Sequence, residues 1–283
     1  MSTPKVIGLG EYLWDMLPDG KKAGGAPVNF AYHAARCGMD AYAVTAVGND
    51  ELGRELIAVA KEHGIKLMAQ VLDYPTGTVQ VEIHDGQPSY TICENVAWDH
   101  IRASAEVLQM AASSAAICFG SLAQRSPESR EAILSIVAAT PEDSYRVFDI
   151  NLRQQFYSKE VITCSLSAAN VLKINDEELE ILRPMFGLQG LSEEEACRAL
   201  MKGYKLMMVI LTAGSEYSLV VGGGVTSRLE TPKVKVVDTV GAGDSFTGAL
   251  IASLVKGATI QEAHRMAVDT AAEVCTHEGA WTK

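Results

Sequence analysis

Short apolar segments alternate with amphipathic segments along most of the chain. The apolar segments predict strands over residues 5–10, 43–47, 116–119, 146–150, 171–175 and 207–211. Apolar residues at helical spacing predict helices over residues 28–37, 50–64, 126–139, 176–182 and 192–203. This order is typical of a parallel sheet with helices on both faces.

Polar residues near the ends of these strands are candidates for function, because ligands of such sheets bind beyond the carboxyl ends of the strands. The residues in this position are Glu11, Asp149, Asn175, Thr212 and Asp238. We therefore expect a site at this edge of the sheet.

One region departs from the alternation. Residues 78–84 and 89–93 alternate around Asp85-Gly86, which is a hairpin signal, and residues 11–17 look extended. We expect a small sheet, formed by about residues 11–23 and 72–99, that covers the site of a single domain spanning residues 1–283. A lid of this kind would exclude water from the site. Alternatively, the hairpin could be a dimer contact or could have no functional role.

Composition narrows the classes of function. The 283 residues are 48% hydrophobic and carry a formal net charge of −11, which argues against nucleic acid as a general partner. The chain lacks an apolar run of the ~20 residues that span a bilayer, and its first residues do not resemble a signal peptide. Six scattered cysteines fit reduced thiols, so we expect a cytoplasmic protein without a membrane partner.

The most informative segment is Asp238-Thr-Val-Gly-Ala-Gly-Asp-Ser-Phe-Thr-Gly-Ala249. Residues 233–237 predict the end of a strand, and apolar residues recur at helical spacing from Ser245 onward. Gly241, Ala242 and Gly243 would then place free N–H groups at a helix N-terminus, where an anion can bind. Asp244 beside such a site suggests a general base, although an aspartate can also be a simple helix cap.

Three further motifs accompany this segment, and all four occur in the order of a known family. They are Gly24-Gly-Ala-Pro-Val-Asn29, Asp149-Ile-Asn-Leu-Arg153 and Asn175-Asp-Glu-Glu178. With them the chain resembles the ribokinase-like (PfkB) carbohydrate kinases over nearly its full length. The resemblance implies a three-layer α/β fold, with a mostly parallel central sheet flanked by helices and a small β-sheet lid.

The resemblance also implies roles at the acceptor and phosphoryl positions. Asp244 would be the catalytic base. The N–H groups of Ala242, Gly243 and Asp244, which follow Gly241, would form the anion hole, and Arg153 would reach the phosphates. The groups implied to bind the sugar are Asp15, Gly24, Gly25 and Asn29. Read from the residues alone, Asp15 could be a turn residue, Asn29 a helix cap and Arg153 an exposed arginine.

Nucleotide and metal sites are implied in the same way. ATP would contact the loop of Thr212, Gly214 and Ser215, with adenine near Val268 and Ala272, which also read as ordinary core. Asn175 and Glu178 would hold Mg²⁺ through water, although Asn175 could instead cap a helix. Residues that could take part in a K⁺ site are Asp238, Val240 and the segment 275–280.

Two other segments, residues 95–99 and 119–125, are similar to fructokinase segments. The resemblance therefore implies ATP-dependent phosphorylation of D-fructose to fructose 6-phosphate. An exposed edge of the lid sheet favours pairing with a second copy, so we expect a homodimer formed through the lid. Kinases of ribose, ketodeoxygluconate or nucleosides remain alternatives, the last because Tyr12, Trp14, Tyr90 and Trp98 could stack on a base. A regulator that binds sugar or nucleotide without turnover is a further alternative.

Overall fold

The computed structural model describes residues 3–18, 20–84 and 87–281, and of residues 81–84 and 87–89 only the backbone. Its strands are β1 (Lys5–Leu9), β2 (Leu13–Leu17), β3 (Gly20–Gly24), β4 (Asp40–Gly48), β5 (Lys66–Leu72), β6 (Gly77–His84), β7 (Gln87–Ile92), β8 (Ser114–Phe119), β9 (Tyr145–Asp149), β10 (Val171–Asn175), β11 (Met208–Ala213), β12 (Tyr217–Gly222) and β13 (Val225–Glu230). Its α-helices are α1 (Ala26–Arg36), α2 (Glu51–Glu62), α3 (Ala105–Ala111), α4 (Pro127–Ala138), α5 (Lys159–Ala168), α6 (Asp176–Phe186), α7 (Glu193–Tyr204), α8 (Ala242–Val255) and α9 (Ile260–Val274).

Nine strands form the central sheet, in the order β13-β12-β11-β10-β9-β8-β1-β4-β5. Neighbouring strands are parallel from β11 to β5, while β12 and β13 add to the other edge as antiparallel strands. The carboxyl ends of β1, β9, β10 and β11 therefore open onto the same edge. The predicted α/β architecture is confirmed.

Apolar side chains bury both faces of this sheet, which makes three layers. Along β1, Ile7 and Leu9 join the cluster that includes Ile133 of α4 and Leu182 of α6, whereas Val6 joins the cluster of α1, α8 and α9. This is the pattern of a strand covered by helices on both sides. None of the helices in the described ranges has the length and apolar character needed to cross a bilayer.

A second sheet has four strands in the order β3-β2-β6-β7. It contains both segments from which the sequence predicts a lid, and β3 extends it by one strand. The turn Asp85-Gly86 of the predicted hairpin lies outside the described residues. A hydrogen bond from Gln154 Nε2 to the carbonyl oxygen of Tyr90 ties the edge strand β7 to the loop after β9.

The strand predicted over residues 233–237 is wrong. β13 ends at Glu230, and the chain then runs without regular structure to the start of α8. Val236 and Val237 are 58% and 57% exposed, so the alternation of this segment does not bury a face. An alternating sequence forms a strand only where a neighbouring strand accepts its hydrogen bonds, and this segment has left the sheet.

Candidate active site

The N-terminus of α8 is open toward the carboxyl edge of the sheet. Gly241 caps the helix at φ 78° and ψ −1°, as at the third position of a type II turn, and a Cβ there would lie 2.5 Å from Ala280 Cβ. The N–H of Ala242 closes this turn on the carbonyl oxygen of Thr239 at 3.2 Å. Contrary to the sequence prediction, Ala242 is thus already engaged, and Gly243 and Asp244 supply the open N–H donors among the described residues.

Asp244 is the third residue of α8 and is partly exposed, and its side chain contacts α1. Its Oδ2 accepts a hydrogen bond from Asn29 Nδ2 at 2.8 Å. Burial raises the pKa of Asp244 to about 6 and the charge of Asp149 adds to the rise, whereas Asn29, Lys173 and Arg153 oppose it. A carboxylate that titrates near neutrality is well matched to general-base work.

Beneath this helix N-terminus lies a buried ion pair that the sequence did not predict. Lys173 Nζ is 3.3 Å from Asp149 Oδ1, and both side chains are almost fully buried. Burial would lower the pKa of Lys173, but the carboxylates of Asp149, Glu178 and Asp244 raise it above its ordinary value. A Cβ at Gly243 would be 3.3 Å from the same Nζ, so the ammonium lies directly below the open N–H groups.

Glu11 follows β1 and is only 3% exposed. Burial raises its pKa to about 7, while N–H groups of Glu11 and Ala26 and the charge of Arg153 lower it. Its Oε2 has no hydrogen-bond partner among the described residues. An unpaired buried carboxylate oxygen is costly, which points to a function rather than to stability.

Asp15 lies on β2, opposite Lys22 of β3, and is partly buried. Burial raises its pKa, and Arg153 opposes this rise. A Cβ on Gly24 would be 3.0 Å from Asp15 Oδ2, and a Cβ on Gly25 would be 2.4 Å from the carbonyl oxygen of Glu11. Gly24 therefore makes room for the carboxylate of Asp15, and Gly25 makes room for the backbone of Glu11.

Arg153 is exposed in the loop after β9 and lowers the pKa of Glu11, Asp15 and Asp244. Two residues of this loop, Asn151 and Gln154, have φ of 41° and 47°. Such left-handed conformations are uncommon outside glycine and persist where the surroundings hold them. Here the loop presents the guanidinium to the three acids.

Asn175 and Glu178 form a capping box at the start of α6. Asn175 Oδ1 accepts the N–H of Glu178 at 2.7 Å, and Glu178 Oε2 accepts the N–H of Asn175 at 2.8 Å. Glu178 Oε1 accepts the N–H of Leu152 at 2.9 Å and so anchors the arginine loop. The helix-capping alternative is thus realised, and Glu178 is buried rather than solvated.

These contacts restrict how the pair could serve a metal. Both carboxylate oxygens of Glu178 already accept backbone N–H groups, so the donor set fits a hydrated ion held through water. Within residues 3–18, 20–84 and 87–281 no group of three or more His, Cys, Asp or Glu side chains is arranged to hold a metal.

The residues expected to contact nucleotide lie on neighbouring elements. Thr212 belongs to β11 and pairs with Asn175 of β10, so it is within a strand rather than after it. Gly214 and Ser215 form the turn that follows. Ala272 and Val268 of α9 are buried, and Val268 belongs to the core packed against α8.

Asp238 joins two segments near the start of α8. Its Oδ1 accepts the N–H of Val240 and its Oδ2 accepts the N–H of Gly279, each at 3.0 Å. Burial would raise the pKa of Asp238, but these donors lower it below its ordinary value. The carboxylate therefore fixes the 279–281 segment against the turn that begins α8.

Comparison with known proteins places this geometry in a family. The model of the pfkB family of carbohydrate kinases matches residues 19–283. The chain belongs to this family. The kinase is 27% identical to an ATP-dependent 6-phosphofructokinase of Thermoanaerobacterium thermosaccharolyticum, covering 97% of this chain and 89% of that protein. It is also 27% identical to fructokinase-1 of Oryza sativa subsp. japonica, covering 97% and 93%.

A solved structure agrees over the whole chain. Fructokinase from Vibrio cholerae O395, in its fructose-, ADP- and calcium-bound form, is 28% identical with a TM-score of 0.80, covering 100% of this chain and 96% of that one. The family resemblance and the ribokinase-like fold expected from the motifs are confirmed.

In this kinase the fold brings Asp244 and Asn29 together beside Gly243, and it leaves Arg153 near enough for its charge to lower the pKa of Asp244. Sequence reasoning missed the part played by Lys173, whose signal was a lone charge inside an apolar strand. It placed Glu11 at the sheet edge without a role, and it gave no role to Trp281, whose Nε1 donates to Asn29 Oδ1 at 2.9 Å.

Proposed function

We propose that this kinase transfers the γ-phosphoryl group of ATP to the primary 6-hydroxyl of D-fructose and releases fructose 6-phosphate and ADP. Asp244 accepts the proton of that hydroxyl as its oxygen attacks the γ-phosphorus, and the bond to the β,γ-bridging oxygen of ATP breaks. The observation that carries the proposal is the Asp244 carboxylate beside the open N–H groups of Gly243 and Asp244. Those donors, with Arg153, stabilise the charge on the transferring group.

The charges of the acceptor side support a neutral sugar. Glu11, Asp15 and Asn29 offer two carboxyls and an amide, which suit hydroxyl groups that both donate and accept. Arg153 is the cation that faces these acids in the described structure, and the transferring phosphoryl requires it. An acceptor that already carries a phosphate or a carboxylate would meet like charges here.

Burial argues against a nucleoside acceptor. Tyr12 and Trp98 are fully buried and Trp14 nearly so, which leaves Tyr90, at 56% exposed, as the one of the four aromatic candidates with an open face. Three of the four rings are therefore unavailable to stack on a base. The fructokinase relatives support the choice of fructose.

On the nucleotide side we assign Thr212, Gly214 and Ser215 to the loop that contacts ATP, with Ala272 and Val268 near adenine. Mg²⁺, when bound with ATP, neutralises charge on the phosphates. Asn175 and Glu178 would hold it through water. Asp238 and Val240, beside residues 275–280, would line a K⁺ site. A Vibrio cholerae fructokinase double mutant has been solved with fructose, ADP and a potassium ion bound, which supports testing this ion.

The small sheet of β2, β3, β6 and β7 would act as the lid and as the surface of a homodimer. Its outer strands β3 and β7 each have one unpaired edge within the described chain, and such edges favour pairing with a second copy. A cytoplasmic location is consistent with six free cysteines. Light scattering at micromolar concentration would show twice the 30.3 kDa chain mass if the dimer forms.

The acceptor is tested by ADP release from MgATP with D-fructose, D-ribose, ketodeoxygluconate, fructose 6-phosphate and adenosine, each with and without K⁺. We expect the highest kcat/KM with fructose, and a phosphorus–carbon coupling at C6 of the product. Asp244→Asn is the matched control for contaminating kinases. A clear preference for another acceptor would refute the choice of fructose, and binding without turnover would favour the regulator.

A further inference from the structure

The side chain of Asn29 connects Asp244 to the indole of Trp281. Asn29 Nδ2 donates to Asp244 Oδ2 at 2.8 Å, and Trp281 Nε1 donates to Asn29 Oδ1 at 2.9 Å. Asn29 is 4% exposed, and in the described structure these two bonds of its amide are both made to protein groups. The two bonds together form a short relay that ends on the proposed base.

The chemistry of the relay is directional. An indole nitrogen can only donate, whereas an amide can donate from nitrogen or accept on oxygen. With Trp281 on one side, the amide oxygen must face the indole and the NH₂ group must face Asp244. A reversed amide would set two N–H groups against each other and leave the indole N–H without its acceptor.

This direction matters when Asp244 changes protonation. When Asp244 is ionised it can only accept hydrogen bonds, so Asn29 must present its N–H group whether or not Trp281 is present. Once Asp244 has taken the proton of the acceptor, its O–H could donate, and a freely turning amide could present its oxygen and stabilise the acid. The indole opposes that reversal, so the amide continues to favour the carboxylate.

We propose that Trp281 is a positioning residue of the kinase, whose indole N–H fixes the amide of Asn29 so that it keeps donating to Asp244 throughout turnover. The inference rests on the proposed function in taking Asp244 as the base. Trp281 touches neither reacting group and acts through Asn29 alone.

Several contacts hold the indole in place. Its ring lies 5.0 Å from the ring of His63 and 6.1 and 6.4 Å from those of Tyr32 and Tyr12, measured between centroids. Burial lowers the pKa of His33 to about 4, so its neutral ring donates from Nε2 to the carbonyl oxygen of Ala280 at 2.8 Å. The segment before Trp281 is thus fixed on α1.

Other charged groups also act on Asp244, and a test must separate them from the relay. The titratable groups that interact with Asp244 are Glu11, Cys118, Asp149, Arg153 and Lys173. None of them contacts the indole of Trp281 in the described structure. His63 does contact the indole, so it needs a control.

The first test is the pH profile of kcat/KM for Trp281→Phe, which keeps an aromatic ring and removes the N–H. We expect the acid limb to move to higher pH by about 0.5 to 1 pH unit, with activity at pH 6 reduced about 2- to 6-fold and activity at pH 8.5 within about 2-fold. Tyr12→Phe is the matched control. It changes a ring beside the indole and removes the hydrogen bond from the Tyr12 hydroxyl to the carbonyl oxygen of Leu56, but it leaves the relay intact. An unshifted acid limb in Trp281→Phe would overturn the proposal.

A second measurement keeps the test valid if Trp281→Phe does not fold. The chain has three tryptophans, so the ¹⁵N-labelled wild type shows three indole N–H signals. We expect the Trp281 signal to titrate with a midpoint near pH 6, to keep doing so in His63→Gln and to stop in Asp244→Asn. A Trp281 signal that titrates in the same way in Asp244→Asn as in the wild type would refute the relay. Full turnover by Asp244→Asn would instead refute the role of Asp244 as the base.

Discussion

The carboxyl group of Glu11 should make the protein less stable as the pH rises. Its pKa is raised from the ordinary 4.5 to about 7, mainly because burial disfavours the charged form. Since one pKa unit corresponds to 1.36 kcal/mol, the difference costs roughly 3 kcal/mol once the folded protein must hold the carboxylate ionised. Below about pH 4.5 the group is protonated in both states and the cost disappears.

The sign follows from proton counts. Between about pH 4.5 and 7 the unfolded chain has lost this proton and the folded protein has kept it, so the free energy of unfolding falls as the pH rises. Glu11→Gln removes the ionisation and keeps the shape. We expect the variant to be within about 1 kcal/mol of the wild type at pH 5 and to be about 1–3 kcal/mol more stable at pH 8.5.

Urea denaturation of both proteins at pH 5, 6, 7 and 8.5 measures this difference. Glu131→Gln, at an exposed position of α4, controls for charge removal in general. Because the unpaired Oε2 of Glu11 also lies in the proposed acceptor pocket, Glu11→Gln should raise the KM for fructose at least about 10-fold. A stability difference that does not change with pH would refute the reasoning.

Two further substitutions test the support of the site. Lys173→Met leaves Asp149 as an unpaired buried charge and should lower the free energy of unfolding in urea by about 3–5 kcal/mol. Adding Asp149→Asn to the same chain should restore most of this loss. An unchanged urea midpoint for Lys173→Met alone would contradict the ion pair. Gly241→Ala should cost at least about 1–2 kcal/mol and reduce kcat, because of its positive φ and the collision with Ala280. Gly257→Ala has a comparable φ but open space, so it should lose stability without loss of kcat per folded enzyme.

Most of the regular structure could be predicted because it depends on local patterns. Buried strands such as β1 and β10 are apolar runs in the sequence. Asp50 predicts the start of α2 because aspartate is a favoured N-cap, and in the structure its Oδ1 accepts the N–H of Gly53 at 2.8 Å. The segment 233–237 has the same alternation as a strand and yet is not one. The missing factor is a partner strand, which only the tertiary structure supplies.

The motifs also located the centre of the site, because its glycines and Asp244 are adjacent in sequence at one helix start. Its supports could not be predicted in the same way. Lys173 is recognisable in the sequence as a lone charge inside an apolar strand, but its pairing with Asp149 is known only from the structure. Trp281 contacts Asn29 across 252 positions. Contacts of this kind depend on the packing of distant segments rather than on spacing.

The central claim is that Asp244 removes the proton of the acceptor hydroxyl at the N-terminus of α8. The most direct test is the kcat of Asp244→Asn with fructose and MgATP, together with the dissociation constants of both substrates and the far-UV circular dichroism spectrum. We expect an intact fold, substrate binding within a few-fold of the wild type and a kcat at least ~100-fold lower. Near-normal turnover by Asp244→Asn would contradict the account.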